Sequence, residues 1–357
     1  MTQWMLYGAT GFTGTLLAEE AARRGLRPVL AGRSKAKLEA LAKRLGLDFV
    51  VFGLDDVFTA TGAVKGFDLV LHAAGPFMHT SAPMLRACLN NRAHYLDITG
   101  EISVFQHIFL HDAEARAAGI ALIPGVGFDI VPSDGLALYV AQRVPGAKWL
   151  ETALDALAPG SFTAGTAKSM LEIVRTVGIV VRRGGQLVPI DFGAGARQMR
   201  FASGERLAVP IPWGDVETSY HATKIPNITA FMALALPRVA LPLLPVTGFA
   251  LRALTHSALF RQGAGSLIER VVRGPSAEAL AHGRSYLYAR AWDDAGDSAE
   301  AWLETREAYA FTVLAALQAV AKTLELRPVG ALTPSMAFGA DFVLEIDGSR
   351  RYDTLPG

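Results

Sequence analysis

Gly8-Ala9-Thr10-Gly11-Phe12-Thr13-Gly14 follows the apolar run Trp4–Tyr7 and leads into Phe12–Arg24, where Leu16, Leu17 and Ala21 recur at helical spacing. The glycines are spaced G-x-x-G-x-x-G. Gly8 permits a tight turn, Gly11 lets the backbone approach a pyrophosphate, and Gly14 lets the helix pack closely on the sheet. The helix N-terminus, with its unpaired amides and positive dipole end, would face the phosphates. Thr10, Phe12 and Thr13 complete the loop and are read with the glycines as cofactor contacts. Strand, loop and helix in this order, opening a βαβ unit, decide the fold.

Outward from the loop, the same alternation continues. Pro28–Ala31, Phe49–Phe52, Asp68–His72, His94–Ile98 and Ile120–Ile123 read as strands. Between them, helices are expected from Ser34 to Leu45, over Met84–Asn90, and as one helix over Ile102–Ala118, with Gly46 and Gly119 as stops. Apolar strands alternating with helices form a parallel sheet covered on both faces. The fold class is therefore α/β, with an N-terminal doubly wound (Rossmann) sheet.

After Val131 the pattern changes. Helices are expected over Asp134–Arg143, Thr166–Arg183 (ended by Gly184-Gly185) and Ala308–Glu325. Leu150–Leu157 reads as extended, and Ser285–Trp292 turns through Asp294-Ala295-Gly296 into a return strand, Ala299–Thr305. This is a second, α+β domain with an antiparallel sheet. The expected boundaries are 1–130 for the dinucleotide domain, 131–326 for a substrate and dimerisation domain, and 327–357 for a segment returning to the first.

Composition narrows the function classes. With 357 residues, 51% hydrophobic and 19% charged, the chain can bury a large core, which excludes a disordered or fibrous protein. Lys plus Arg (34) nearly balances Asp plus Glu (33), so no nucleic-acid partner is expected. Cys88 is the only cysteine, which fits a reducing, cytoplasmic setting. No signal peptide is read at the N-terminus. The most apolar stretch, Ile225–Leu254, is broken by Pro237, Arg238, Pro242 and Pro245, so no transmembrane helix is expected there. It reads as buried helices or a homodimer interface, or as a surface that touches a membrane or admits an acyl substrate.

The second strand ends in Ala31-Gly32-Arg33-Ser34, where an NAD enzyme usually has Asp or Glu for the ribose 2′-hydroxyl. Arg33 can instead pair with a 2′-phosphate, Ser34 adds a hydroxyl donor, and Lys37 stands close behind. NADP is the expected cofactor. Ala73, Ala74, Gly75 and Pro76 follow the fourth strand, and their small size would let a cofactor lie across the sheet.

These residues resemble a known family. The glycine loop and Ala31-Gly32-Arg33 look like the start of saccharopine dehydrogenase-like reductases. Ala74-Gly75-Pro76-Phe77 matches their A-G-P-F loop, and His94-Tyr95-Leu96-Asp97-Ile98-Thr99-Gly100-Glu101 their H-Y-x-D-x-T-G-E strand end. Gly127-Phe128-Asp129-Ile130-Val131-Pro132-Ser133-Asp134 is similar to G-F-D-S-V-P-S-D. The branch that includes trans-acting enoyl reductases is the most similar. His72 and Ile130 depart from it, standing where many relatives have Asn and Ser. His72 is read as a strand-end histidine with a satisfied hydrogen bond. The resemblance implies a dinucleotide domain, a second domain supplying the substrate pocket, and a last helix, Pro334–Leu344, returning to the first domain.

Hydride transfer to an enoyl, imine or carbonyl group needs a proton donor near an open nicotinamide face. Position after the fifth and sixth strands points to Asp97, Thr99, Glu101, Asp129 and Ser133. Asp129 is a candidate catalytic residue, or a cap for the following helix; His221, read on a second-domain strand, is the other catalytic candidate. Gly165-Thr166 would open a helix that either holds a substrate oxygen or is simply capped. Tyr220 and Lys224 form a Y-x-x-x-K, but Thr218, Tyr220 and Ala222 alternate, so a strand is expected and the pair reads as coincidence. No metal-ligand spacing is present. Two alternatives stay open: an atypical short-chain reductase, and a dinucleotide-binding regulator without turnover.

Overall fold

Four-residue strands that are apolar throughout must be covered on both sides, and the first unit of the fold is built around that need. The computed structural model describes residues 3–156, 178–234 and 274–355, and the chain divides into two units. The first comprises 1–131 and 311–339, the second 132–310 and 340–357.

In the first unit, β1 (Trp4–Tyr7), β2 (Val29–Gly32), β3 (Phe49–Val51), β4 (Leu69–His72), β5 (His94–Asp97), β6 (Ala121–Ile123) and β15 (Gly330–Ala331) form one parallel sheet. Its order is β15-β6-β5-β4-β1-β2-β3. β1, β4 and β5 are buried at every residue. The chain runs outward from β1 to β3, returns to β4 and runs outward the other way. The carboxyl ends of β1 and β4 therefore flank the topological switch point, where such sheets bind dinucleotides.

The helices of this unit are α1 (Phe12–Arg23), α2 (Lys35–Leu45), α3 (Val57–Val64), α4 (Phe77–Asn91), α5 (Ile102–Phe109) and α6 (Asp112–Ala118). The expected single helix over Ile102–Ala118 is thus two. The turn at Leu110-His111 re-aims α6 so that the Asp112 carboxylate accepts from Ala331 N at 2.8 Å in β15, a contact made far along the chain. α3, absent from the sequence expectation, is capped by Asp56, which accepts from Phe58 N and Thr59 N. The helix Ala308–Leu326 is the one described helix long and apolar enough to cross a membrane. Phe311, Ala315, Ala316 and Ala319 on it are fully buried.

The second unit is a mixed sheet ordered β10-β11-β12-β7-β13-β14-β16, with β8 pairing β12 and β9; it is not the wholly antiparallel sheet expected, because β12 runs parallel to β7. Its strands are β7 (Trp149–Asp155), β8 (Ile179–Arg183), β9 (Gln186–Ile190), β10 (Arg197–Phe201), β11 (Gly204–Pro210), β12 (Asn227–Leu234), β13 (Arg284–Trp292), β14 (Ser298–Arg306) and β16 (Arg350–Tyr352). Leu150, Ile228, Ala230, Leu287, Ala289 and Leu303 are buried on one face, while α7 (Val131–Gln142) opens the unit.

Five expectations change here. Thr166–Arg183 was expected as a helix; 166–177 lies outside the described residues, and Ile179–Arg183 is a strand. Gly184 (φ 55) and Gly185 (φ 82) form the tight turn of the β8–β9 hairpin, not a helix stop. Tyr220 lies on a helix, Asp215–Thr223, which Lys224 ends at φ 60. Burial of Asp215, Val216, Thr218 and Ser219 follows helical spacing, so the alternation around Tyr220 was accidental. Within Ile225–Leu254, Asn227–Leu234 is the inner strand β12, and 235–254 lies outside the described residues. Finally, the chain re-enters the first unit at Phe311 and leaves it after Gly339, so 327–357 does not return as a whole. The expected helix Pro334–Leu344 is Pro334–Phe338, stopped by Gly339 at φ 90, and a separate 3-10 turn, Phe342–Glu345, in the second unit.

Candidate functional site

The glycine loop is held by the strand beside it. Gly8 N and Ala9 N both donate to Ala31 O, at 2.8 and 3.2 Å. Gly8 has φ +86, and a Cβ there would stand 2.8 Å from Ala73 C and from Ala74 N and Cβ. A Cβ on Gly14 would be 2.0 Å from Gly8 O. Both glycines are therefore required by the protein's own packing. Gly11 differs: the nearest atom to its Cβ would be Gly8 O at 3.4 Å, an ordinary contact, and the residue is exposed. Its bareness serves whatever approaches from outside.

Helix starts differ in what meets their amides, and because α5 also begins without a side-chain cap, position and nearby charge mark the ligand-facing ones rather than the missing cap alone. Asp56 caps α3, and Thr333 caps Pro334–Phe338. Glu101 caps α4, accepting from Phe77 N (2.9 Å) and Met78 N (2.7 Å). At α1 no side chain caps Gly11, and at α2 the Ser34 hydroxyl makes no cap bond. Neither helix has an acidic residue in its first turn. These two ends follow β1 and β2 directly, and Arg33, Lys35 and Lys37 are exposed around the second. Thr10 and Thr13 are partly open and Phe12 is exposed beside Gly11. The arrangement suits a pyrophosphate at α1 and a 2′-phosphate at α2. Tyr7 feels the second of these places: burial pushes its phenol up to about 12, opposed by the charge of Arg33 and reinforced by Asp55. Across the switch point, Ala73 and Ala74 are partly exposed, and Gly75 and Pro76 exposed.

The carboxylates after β5 and β6 have distinct jobs. Asp97 is fully buried; its Oδ1 accepts from Thr99 N (3.0 Å) and Gly125 N (2.9 Å), its Oδ2 from Tyr95 Oη (2.7 Å). Burial raises it to about 6, with those donors opposing. It joins the ends of β5 and β6. Glu101 is spent on α4, and Thr99 Oγ1 accepts from Glu101 N. Asp129 lies ahead of the residue before α7, outside the usual cap position. Burial, then the charge of Glu101, raises it to about 7. It packs on Gly100, whose Cβ would meet Asp129 Oδ2 at 2.8 Å. The glycine of one motif thus makes room for the carboxyl of another.

His221 lies in the second unit on the helix Asp215–Thr223, not on a strand, and is half-buried. Ser133 does not join the cofactor side: its hydroxyl donates to Asp215 Oδ1 (2.7 Å), while Thr152 donates to Oδ2 (2.6 Å). Tyr220 and Lys224 share one helix end, with Nζ 5.8 Å from the ring centroid. The Tyr220 ring is covered by the Arg182 guanidinium at 4.1 Å, and Arg182 pairs with Glu217. Gly165-Thr166 lies outside the described residues. Spacing alone missed the roles of Gly100 and Glu101, because each acts on a residue more than twenty positions away.

Comparison with known proteins agrees with this geometry. Residues 4–123 match the saccharopine dehydrogenase NADP-binding domain. A Mycobacterium tuberculosis protein named as a trans-acting enoyl reductase is 34% identical over 187 residues, 48% of this chain and 44% of that one. A Rattus norvegicus saccharopine dehydrogenase-like oxidoreductase is 30% identical over 165 residues, 40% of this chain and 38% of its own. The chain thus spans less than half the length of these curated relatives. In fold, saccharopine dehydrogenase (L-Glu forming) from Saccharomyces cerevisiae superposes with a TM-score of 0.64 at 13% identity, covering 99% of this chain and 100% of that one. Residues 4–123, which supply the glycine loop and every strand of the first sheet except β15, are thus similar to the NADP-binding domain of saccharopine dehydrogenase, and the whole chain shares that enzyme's fold.

Proposed function

We propose that the protein is an NADP(H)-dependent oxidoreductase that transfers hydride to an enoyl, imine or carbonyl substrate. The observation that carries this is the pair of uncapped helix N-termini at α1 and α2, with Arg33, Ser34 and Lys35 at the second. The cofactor, when bound, supplies the hydride. Gly11 admits the pyrophosphate, and Arg33 holds the 2′-phosphate. Asp129, with a carboxyl that titrates near neutrality, supplies or accepts the proton that must accompany hydride transfer. His221 is the proposed second group, orienting the substrate. An acyl or enoyl substrate is favoured by the relatives named as enoyl reductases. A cytoplasmic setting and a homodimer remain proposals, the first resting on the single, buried cysteine and the second on the apolar sequence Ile225–Leu254.

The short-chain reductase alternative loses ground. Tyr220 lies on a helix that Lys224 only ends, in the left-handed region, so the pair does not stand at i and i+4 within it, and the Tyr220 ring is covered by Arg182. The test is NADPH oxidation with an enoyl thioester, an imine formed from an amino acid and a keto acid, and a simple carbonyl. Turnover of one class, with NADPH preferred over NADH, is expected. NADPH binding without turnover of any class would favour the regulator reading.

A further inference from the structure

His72 is fully buried at the end of β4, paired in register with Tyr7 of β1 and Asp97 of β5. The rings of Tyr7 and Phe77 lie 5.4 and 5.3 Å from it. Its Nε2 is 3.0 Å from Thr80 Oγ1. That hydroxyl has one proton, and it is committed to backbone carbonyls: Ala74 O at 2.7 Å and, more weakly, Pro76 O at 3.2 Å. Thr80 can therefore only accept from His72, so the ring carries its proton on Nε2. The expected satisfied histidine is only half so. Nδ1 is then an acceptor, and among the described residues it has no partner.

A buried acceptor without a donor costs stability, and an apolar residue at this place would avoid it. The fold keeps the histidine nonetheless, so its use lies at the other end of the chain of bonds. Ala74 is where the switch-point loop meets the glycine loop, against the Cα of Gly8. The Ala74–Gly75 peptide is trans, so a carbonyl drawn toward Thr80 turns the Gly75 N–H away from it. Gly75 is exposed, at the switch-point crevice where a dinucleotide would lie.

We propose that His72 is a positioning residue for the cofactor: through Thr80 it fixes the Ala74 carbonyl, and so aims the Gly75 amide at the bound dinucleotide. This rests on the reading of the switch point as the NADP site. Burial also pushes the imidazole down to about 3, which keeps it neutral and the relay intact at ordinary pH.

NADPH titration followed by protein fluorescence, beside thermal unfolding, tests it in wild type, His72→Leu, Thr80→Val and Thr80→Ser. His72→Leu and Thr80→Val should raise the NADPH Kd roughly tenfold, the scale of a lost hydrogen bond, and Thr80→Ser should stay within about twofold. His72→Leu should not lower Tm, because it removes the orphan acceptor together with the donor. A role in stability alone would instead lower Tm and leave Kd unchanged, overturning the proposal. A Thr80→Ser variant as impaired as Thr80→Val would also overturn it, by assigning the effect to the methyl group. If wild type binds no NADPH, the cofactor reading itself fails, and this inference with it.

Discussion

Gly100 and Asp129 are in direct contact: a Cβ at Gly100 would stand 2.8 Å from Asp129 Oδ2 and 3.2 Å from its Cβ. The two residues come from separate sequence motifs, and their contact sets where the Asp129 carboxyl points. Gly100→Ala should therefore displace that carboxyl and lower turnover while NADPH affinity stays nearly unchanged. Asp129→Asn should lower turnover by on the order of a hundredfold, the usual scale of general acid–base catalysis. Wild-type rates in both variants would remove Asp129 from the mechanism.

Asp129 also sets a pH dependence. Its folded-state pKa, about 7, lies above the ordinary 3.8. The contribution of this group is thus full below about pH 4 and is lost as pH rises through 7. Asp129→Asn should be more stable than wild type at pH 8, and the gap should shrink toward pH 4. Urea midpoints measured across that range check the sign.

The opposite holds for His72, whose ring is pushed down to about 3 from 6.5. Its stabilising neutral form is fully present above pH 6.5, and stability falls as pH drops toward 3, by roughly 1.4 kcal/mol per pH unit for one proton. His94 acts in the same direction. Its Nδ1 accepts from Ala121 N at 2.9 Å, and burial lowers its pKa. His72→Leu should lose less stability than wild type between pH 6.5 and 4. Parallel losses would assign the acid sensitivity elsewhere.

Cofactor choice should follow Arg33. Losing a charge-assisted bond costs about 1.5–3 kcal/mol, so Arg33→Asp should weaken NADPH on the order of 10- to 100-fold and NADH far less. Equal affinity of wild type for the two cofactors would contradict the reading.

Gly11 and Gly14 should separate binding from folding. Gly11→Val should fold and fail to bind NADPH, since the residue is exposed and its added Cβ makes only an ordinary contact. Gly14→Ala forces a carbon against Gly8 O, an overpacking that costs about 1–3 kcal/mol or more. Circular dichroism and NADPH titration on the same samples distinguish the two. Normal binding by Gly11→Val would move the pyrophosphate site away from this loop.

The sequence by itself determined six of the seven strands of the first sheet, because strand burial and helix spacing are local patterns written every few residues, while the short strand β15, Gly330–Ala331, was not legible. It also determined the open loop at Gly11 and the basic end of β2 at Arg33, where glycine spacing and charge carry the chemistry directly. Tertiary structure decided the rest. Gly184-Gly185 stops a helix or turns a hairpin equally well, and pairing of Ile179–Arg183 with Gln186–Ile190 chose the hairpin. Tyr220 alternates like a strand residue, yet burial of Val216 and Ser219 made it helical. Glu101 and Asp97 look like catalytic acids until Phe77, Met78, Gly125 and Tyr95 are found to occupy them. The physical reason is that tertiary context chooses between readings that local pattern leaves equal, and for Glu101 and Asp97 the deciding donors, Phe77, Met78 and Gly125, come within hydrogen-bonding reach only on folding.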